Sequence, residues 1–243
     1  MSFPQTIMGK FGWEKVTTSA QKHKLGTRMQ IADREFVYVQ AGEAITAGLL
    51  VDGMAGTAAH QVDLAVSAAS AGATTVTLSG SLTIAKDQYK DGWLIFNDVE
   101  EEGHMYRIKS NTAVSSATGC VLTLDEEDGL ATAITTSQQV GIYENPHKEV
   151  EIHDHDDIDN APLGWACVDI ADTYYGWICD KGFTTALIDG TPGIATQLVA
   201  SQGVAGAVEV LDSDADDEGT VVGYMGPIAG VNGEYGLIKA NIG

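Results

Sequence analysis

Nowhere in the 243-residue chain do apolar residues recur every three to four positions over a stretch long enough to build a helix with one buried face. Short runs of β-branched and aromatic residues recur instead, at intervals of roughly 8 to 12 residues, each closed by Gly, Asn, Asp or Ser. That pattern predicts an all-β protein of barrels or sandwiches rather than alternating helices and strands.

Glu35 to Gln40 reads EFVYVQ, which as a strand places Phe36 and Tyr38 on one face and Val37 and Val39 on the other. Further strands are expected at 74–78, 82–84, 92–97, 104–109, 120–124, 139–143, 163–170, 174–179, 186–188, 197–200, 207–211, 220–225 and 235–238. Ser79-Gly80-Ser81 reads as a tight connection between two of them, and the acidic stretch Asp98 to Gly103 as the tip of a hairpin. The only helical candidates are single turns at Lys86 to Lys90 and Asp128 to Thr132, too short to stand alone. A polar break around Asn145-Pro146-His147 suggests a boundary near residue 148. The expected organisation is an extended N-terminal arm with a hairpin over 1–57, a β-barrel or β-sandwich domain over 58–148, and a second over 149–243.

Charge divides the chain more sharply than its total of -21 suggests. Residues 1–34 carry Lys10, Lys15, Lys22, Lys24, Arg28 and Arg34 against Glu14 and Asp33, a balance of +4, whereas 35–148 and 149–243 carry -10 and -15. A basic leading segment on an acidic body suits an arm laid on another acidic surface; solvated lysines are the plainer alternative. Nucleic acid and anionic membranes are disfavoured as partners, since both need a basic face. Three cysteines, Cys120, Cys167 and Cys179, without a CxxC pair, read as buried thiols in a protein made in a reducing cytoplasm. Met1 to Val16 has no apolar core of a secretory signal, and Leu64 to Ala85 is too polar to span a bilayer.

Two constellations could carry chemistry. On a strand, His153, His155 and Asp157 project to one face and could ligate a transition metal as part of an enzyme, although a solvated acidic loop is the plainer reading. Asp212 to Gly219 starts like a calcium loop, but Asp217 and Gly223 stand where an EF-hand needs glycine and glutamate. No phosphate loop, nucleophile elbow, dinucleotide fingerprint or HExxH is present, so no catalytic residue and no cofactor is expected. Tyr174, Tyr175 and Trp177 surround Gly176 and could pack in a core or offer an aromatic contact to a glycan or partner subunit.

The succession LGTR (Leu25 to Arg28), REFVYVQAGEAITAG (Arg34 to Gly48), AGATTVTL (Ala71 to Leu78), DQYKDGWLIFND (Asp87 to Asp98), EGHMYRIKS (Glu102 to Ser110), ENPHKEV (Glu144 to Val150) and YYGWI (Tyr174 to Ile178) resembles the capsid decoration, or head cement, proteins of tailed bacteriophages. The resemblance implies a homotrimer or other homo-oligomer on the outer surface of an icosahedral virion, made in the host cytoplasm and stabilising the head by binding major capsid subunits. The basic arm residues would then be the capsid-binding set. A surface glycan- or receptor-binding module is the alternative.

Overall fold

The protein is described by a computed structural model covering residues 6–99, 101–125, 127, 129–154, 160–211 and 220–242. It forms two compact units, one made of Met1–Ala55 together with His147–Gly243 and the other of Gly56–Pro146. The first stretch holds β1 (Thr6–Met8), β2 (Arg28–Ile31), β3 (Arg34–Gln40) and β4 (Leu50–Asp52). The inserted unit holds β5 (Leu64–Ala65), β6 (Thr75–Leu78), β7 (Leu82–Ile84), β8 (Trp93–Asp98), β9 (Met105–Asn111), β10 (Val114–Ala117), β11 (Cys120–Leu124) and β12 (Gln139–Tyr143). The chain then returns through β13 (Glu151–Ile152), β14 (Pro162–Ala166), β15 (Tyr175–Ile188), β16 (Gln197–Ala200), β17 (Ala207–Val210), β18 (Gly223–Met225) and β19 (Tyr235–Asn241). The only helical turns among the described residues are 3-10 turns at Trp13–Lys15 and Ala58–His60, so the fold is all-β.

In the inserted unit six strands pair in the order β5-β12-β8-β9-β11-β6. Val66, just after β5, bridges Leu78 at the end of β6, and the Ser79 amide donates to the Ala65 carbonyl, so the sheet returns to its first strand as a small barrel. Alternate residues point inward: Val76 and Leu78, Leu94 and Phe96, Tyr106 and Ile108, and Cys120, Leu122 and Leu124 fill one core. The expected hairpin from β8 to β9 is present, with Trp93 opposite Arg107. Ser79-Gly80-Ser81 is the expected tight connection, from β6 to β7, but the two strands it joins do not pair with each other. β6 pairs with β11 and β7 with β10, because the inward pattern of Val76 and Leu78 matches Cys120 and Leu122. Lys86 to Lys90 forms successive turns instead of a helix, since Asp87 sits at φ 58°, in the left-handed region. In the second candidate, Asp128 lies outside the described residues and Gly129 at φ 65° likewise departs from the helix.

In the other unit β15 does the work of two strands. Its first half pairs with β3 and β14, and its second half with β19 and, at Leu187–Ile188, with β17. β15, β17, β16, β18 and β19 return on themselves as a five-stranded barrel filled by Trp165, Ile188, Leu198, Val208, Met225 and Ile238, among others. The first half of β15 and β3 are buried on both faces: Val37, Val39 and Ile178 meet one core, while Phe36, Tyr38, Trp177 and Cys179 meet another. Burying each such side chain contributes roughly 1.5–3 kcal/mol. That pairing corrects the expected division of the chain. Residues 1–57 do not stand apart from 149–243, because Phe36 and Tyr38 find their partners Cys179 and Trp177 on β15.

Candidate interaction surface

The leading segment is held to the sheet by a few short-side-chain positions and one buried acid. β1 runs parallel to β2 at the sheet edge, and the Gly9 amide extends the ladder to the Gln30 carbonyl at 2.9 Å. A Cβ at Gly9 would come within 2.9 Å of both Met29 and Ile31, so only glycine lets the backbone lie this close. Past it the chain turns, the Trp13 amide donating to the Lys10 carbonyl, and Gly12 at φ 96° donates its N–H to the Glu14 carboxylate at 2.7 Å. Glu14 is itself buried and accepts from Arg34 at 3.2 Å. Further along, Thr18 exchanges backbone hydrogen bonds with Tyr175, and the Lys22 amide donates to the Tyr38 hydroxyl.

With Glu14 turned inward, its neighbours turn outward. Met8 is 72% exposed, Phe11 76%, Trp13 44% and Val16 52%. Lys10, Lys15, Lys22 and Lys24 are exposed along the same stretch. Large apolar side chains held outward on an ordered backbone, interleaved with cations on an otherwise acidic protein, make a surface suited to a macromolecular partner.

The six basic residues singled out from sequence therefore separate into two groups. The four lysines lie on this surface. The two arginines are spent internally: Arg28 pairs with Asp180 at 2.6 Å and Glu35 at 3.3 Å, and Arg34 pairs with Glu14 and stacks over the Phe36 ring at 4.9 Å. Both sit on strands, where β2 and β3 bring them beside the buried carboxylates of Asp180 and Glu14. The aromatic triplet divides as well. Tyr174 is exposed and Tyr175 half-buried, but Trp177 is 5% exposed, packed edge-on against Tyr38 at 5.0 Å and beside His23 at 5.4 Å. Trp177 is a core residue and offers no ring to a ligand. Sequence reasoning passed over Met8, Phe11, Trp13 and Val16, although the signal was there: four large apolar residues spaced by Gly9, Lys10, Gly12, Glu14 and Lys15 fit no buried strand.

Of the possible metal ligands, His155 and Asp157 lie outside the described residues, as does the acidic stretch 212–219. His153 is buried with its Nδ1 2.6 Å from the Asp52 carboxylate, so that nitrogen is already engaged. Among the described residues no group of three or more His, Cys, Asp or Glu side chains is gathered as a metal site. Comparisons with protein-family models, with curated proteins and with solved structures find no match for the chain.

Proposed function

We propose that the protein is a structural component of a tailed-phage head, binding major capsid subunits on the outer surface as a symmetric homo-oligomer. The observation that carries this reading is the ordered, outward-facing row of Met8, Phe11, Trp13 and Val16 set among exposed lysines. The apolar side chains supply burial, with one or two aromatic anchors contributing about 2 kcal/mol or more each to such a contact. Lys10, Lys15, Lys22 and Lys24 supply orientation toward an acidic patch on the shell and a faster approach at low salt. The acidic remainder keeps the body of the protein hydrated and soluble. Repetition by symmetry multiplies a modest single contact by about 10²–10⁴ in avidity, which suits a brace more than a catalyst.

The test is sedimentation of purified protein with phage shells that lack it, at 50 mM and 500 mM salt. Phe11→Ser with Trp13→Ser is expected to abolish co-sedimentation at both salts. Lys10→Glu with Lys15→Glu is expected to weaken it mainly at the lower one, because screening already removes the lysine contribution at the higher. Undiminished binding by the aromatic variant overturns the reading.

A further inference from the structure

A cleft of about 540 Å³ opens in the unit built from both chain ends, with Glu14, Arg34, Cys167, Phe183, Thr184 and Tyr235 among its walls. Cys167 follows β14, is half-buried and is the cysteine that lines this cleft. On the neighbouring strand, Cys179 opposes Trp165 and Ile178 opposes Ala166, and Cys167 packs against the same cluster that contains Cys179. Each thiol donates to a backbone carbonyl, Cys179 to Lys181 at 3.3 Å and Cys167 to Trp165 at 3.9 Å. All three cysteines are free in this structure.

We propose that Cys167 and Cys179 form a reactive dithiol at this cleft, with Cys167 as the attacking sulfur and a low-molecular-weight disulfide such as oxidised glutathione as its oxidant. The Cys167 thiolate attacks one sulfur of the small disulfide and expels its partner as a thiolate. Cys179 then attacks the Cys167 sulfur of the mixed disulfide, its proton passing to the small thiolate that it expels. Two protein thiols become one intramolecular disulfide across β14 and β15, and the oxidant leaves as two thiols.

The surroundings divide the two roles. The neighbouring Cys179 thiol, the Arg34 guanidinium and the Thr184 hydroxyl hold Cys167 below the ordinary thiol range against its burial and the Glu14 carboxylate. The neighbouring Cys167 sulfur and its own burial push Cys179 up. A thiolate-biased sulfur in an open cleft beside a protonated neighbour is the arrangement of an attacking and a resolving cysteine. Cys120 supplies the contrast: it is 1% exposed, its thiol donates to the Thr112 carbonyl at 3.3 Å, and burial raises it. This inference stands independently of the function proposed above.

The native full-length chain, reduced and then titrated with oxidised glutathione, is mapped by peptide mass spectrometry without reduction, beside iodoacetamide rates at each cysteine. The expected results are alkylation of Cys167 at least about tenfold faster than Cys120, a Cys167–Cys179 cross-link in the wild-type chain, and arrest of Cys179→Ser at a glutathione adduct on Cys167. Alkylation of Cys167 no faster than Cys120, or wild-type protein that ends without the cross-link, overturns the proposal.

Discussion

Arg28 Nη1 lies 2.6 Å from Asp180 Oδ2, joining a half-exposed guanidinium on β2 to a carboxylate that is 2% exposed on β15. Burial raises the Asp180 pKa and Arg28 only partly offsets it. A carboxylate raised in the folded state favours folding most below its unfolded pKa, and that advantage is lost as pH rises through the folded value. At neutral pH the charge on Asp180 therefore works against the fold and depends on Arg28. Arg28→Gln is expected to lower stability by about 2–3 kcal/mol, since it strands a buried charge. Asp180→Asn, which leaves Arg28 half-exposed and still paired with Glu35, is expected to be near neutral or stabilising. Urea unfolding at pH 7 distinguishes them, and an equal loss in both variants contradicts the asymmetry.

Glu101 has the opposite sign. Burial pushes its pKa up, but the Tyr106 hydroxyl at 2.5 Å, the hydroxyl and amide of Thr132 and the His104 ring at 2.6 Å more than offset this, and the net position is below the ordinary range. Its contribution is therefore complete above the unfolded carboxylate pKa and is lost as pH falls through the lower folded value. These bonds tie the turn after β8 to the stretch leading to β12. Glu101→Gln is expected to cost about 1–3 kcal/mol at pH 7 and to flatten the fall in melting temperature between pH 6 and pH 3.5. Amide exchange at Thr132 is expected to accelerate in the variant; an unchanged pH profile counts against the assignment.

Gly182 sits at φ 93° within β15, where the ladder to β3 slips between Cys179 and Lys181 and the strand takes β19 as its main partner. A Cβ there would approach the Asp33 carbonyl oxygen to 2.5 Å. Gly182→Ala is expected to cost about 3 kcal/mol or more, from left-handed strain plus the clash. Gly190 also has positive φ, 77°, but nothing lies within 4 Å of its would-be Cβ, so Gly190→Ala is expected to cost only about 1 kcal/mol. Thermal unfolding of the two variants side by side checks the difference.

Gly182 also explains why the sequence suggests two strands, at 174–179 and 186–188, where β15 is one. Lys181-Gly182 looks like punctuation, and a bulge that lets a strand change partners has the same local signature as a turn. The short strands were legible because alternation is a local property: residues 82–84, 120–124, 139–143 and 197–200 form strands as read. Pairing was not legible, and so the leading residues seemed to stand apart from the last hundred. The same limit applies to charge. Arg28 and Arg34 are indistinguishable from the lysines by composition, and only the neighbouring strands reveal Asp180 and Glu14 beside them.

Phe11 and Trp13 face outward, whereas Trp177 is closed in by Tyr38 and His23, and this separates the exposed leading segment from the core. Removing an exposed side chain deletes little buried area, so Phe11→Ser with Trp13→Ser is expected to change unfolding free energy by less than about 0.5 kcal/mol per site. Trp177→Ala opens a cavity among Tyr38, His23 and Tyr175 and is expected to cost about 3–5 kcal/mol. Calorimetry with the shell-binding assay reads both properties on the same samples. If the surface is a docking site, the exposed pair loses binding at wild-type stability, while Trp177→Ala loses stability and retains binding at temperatures where it stays folded. Were the exposed pair to destabilise the fold as much as Trp177→Ala, the segment from Met8 to Val16 would be part of the core, and its role as a partner surface would fall with that result.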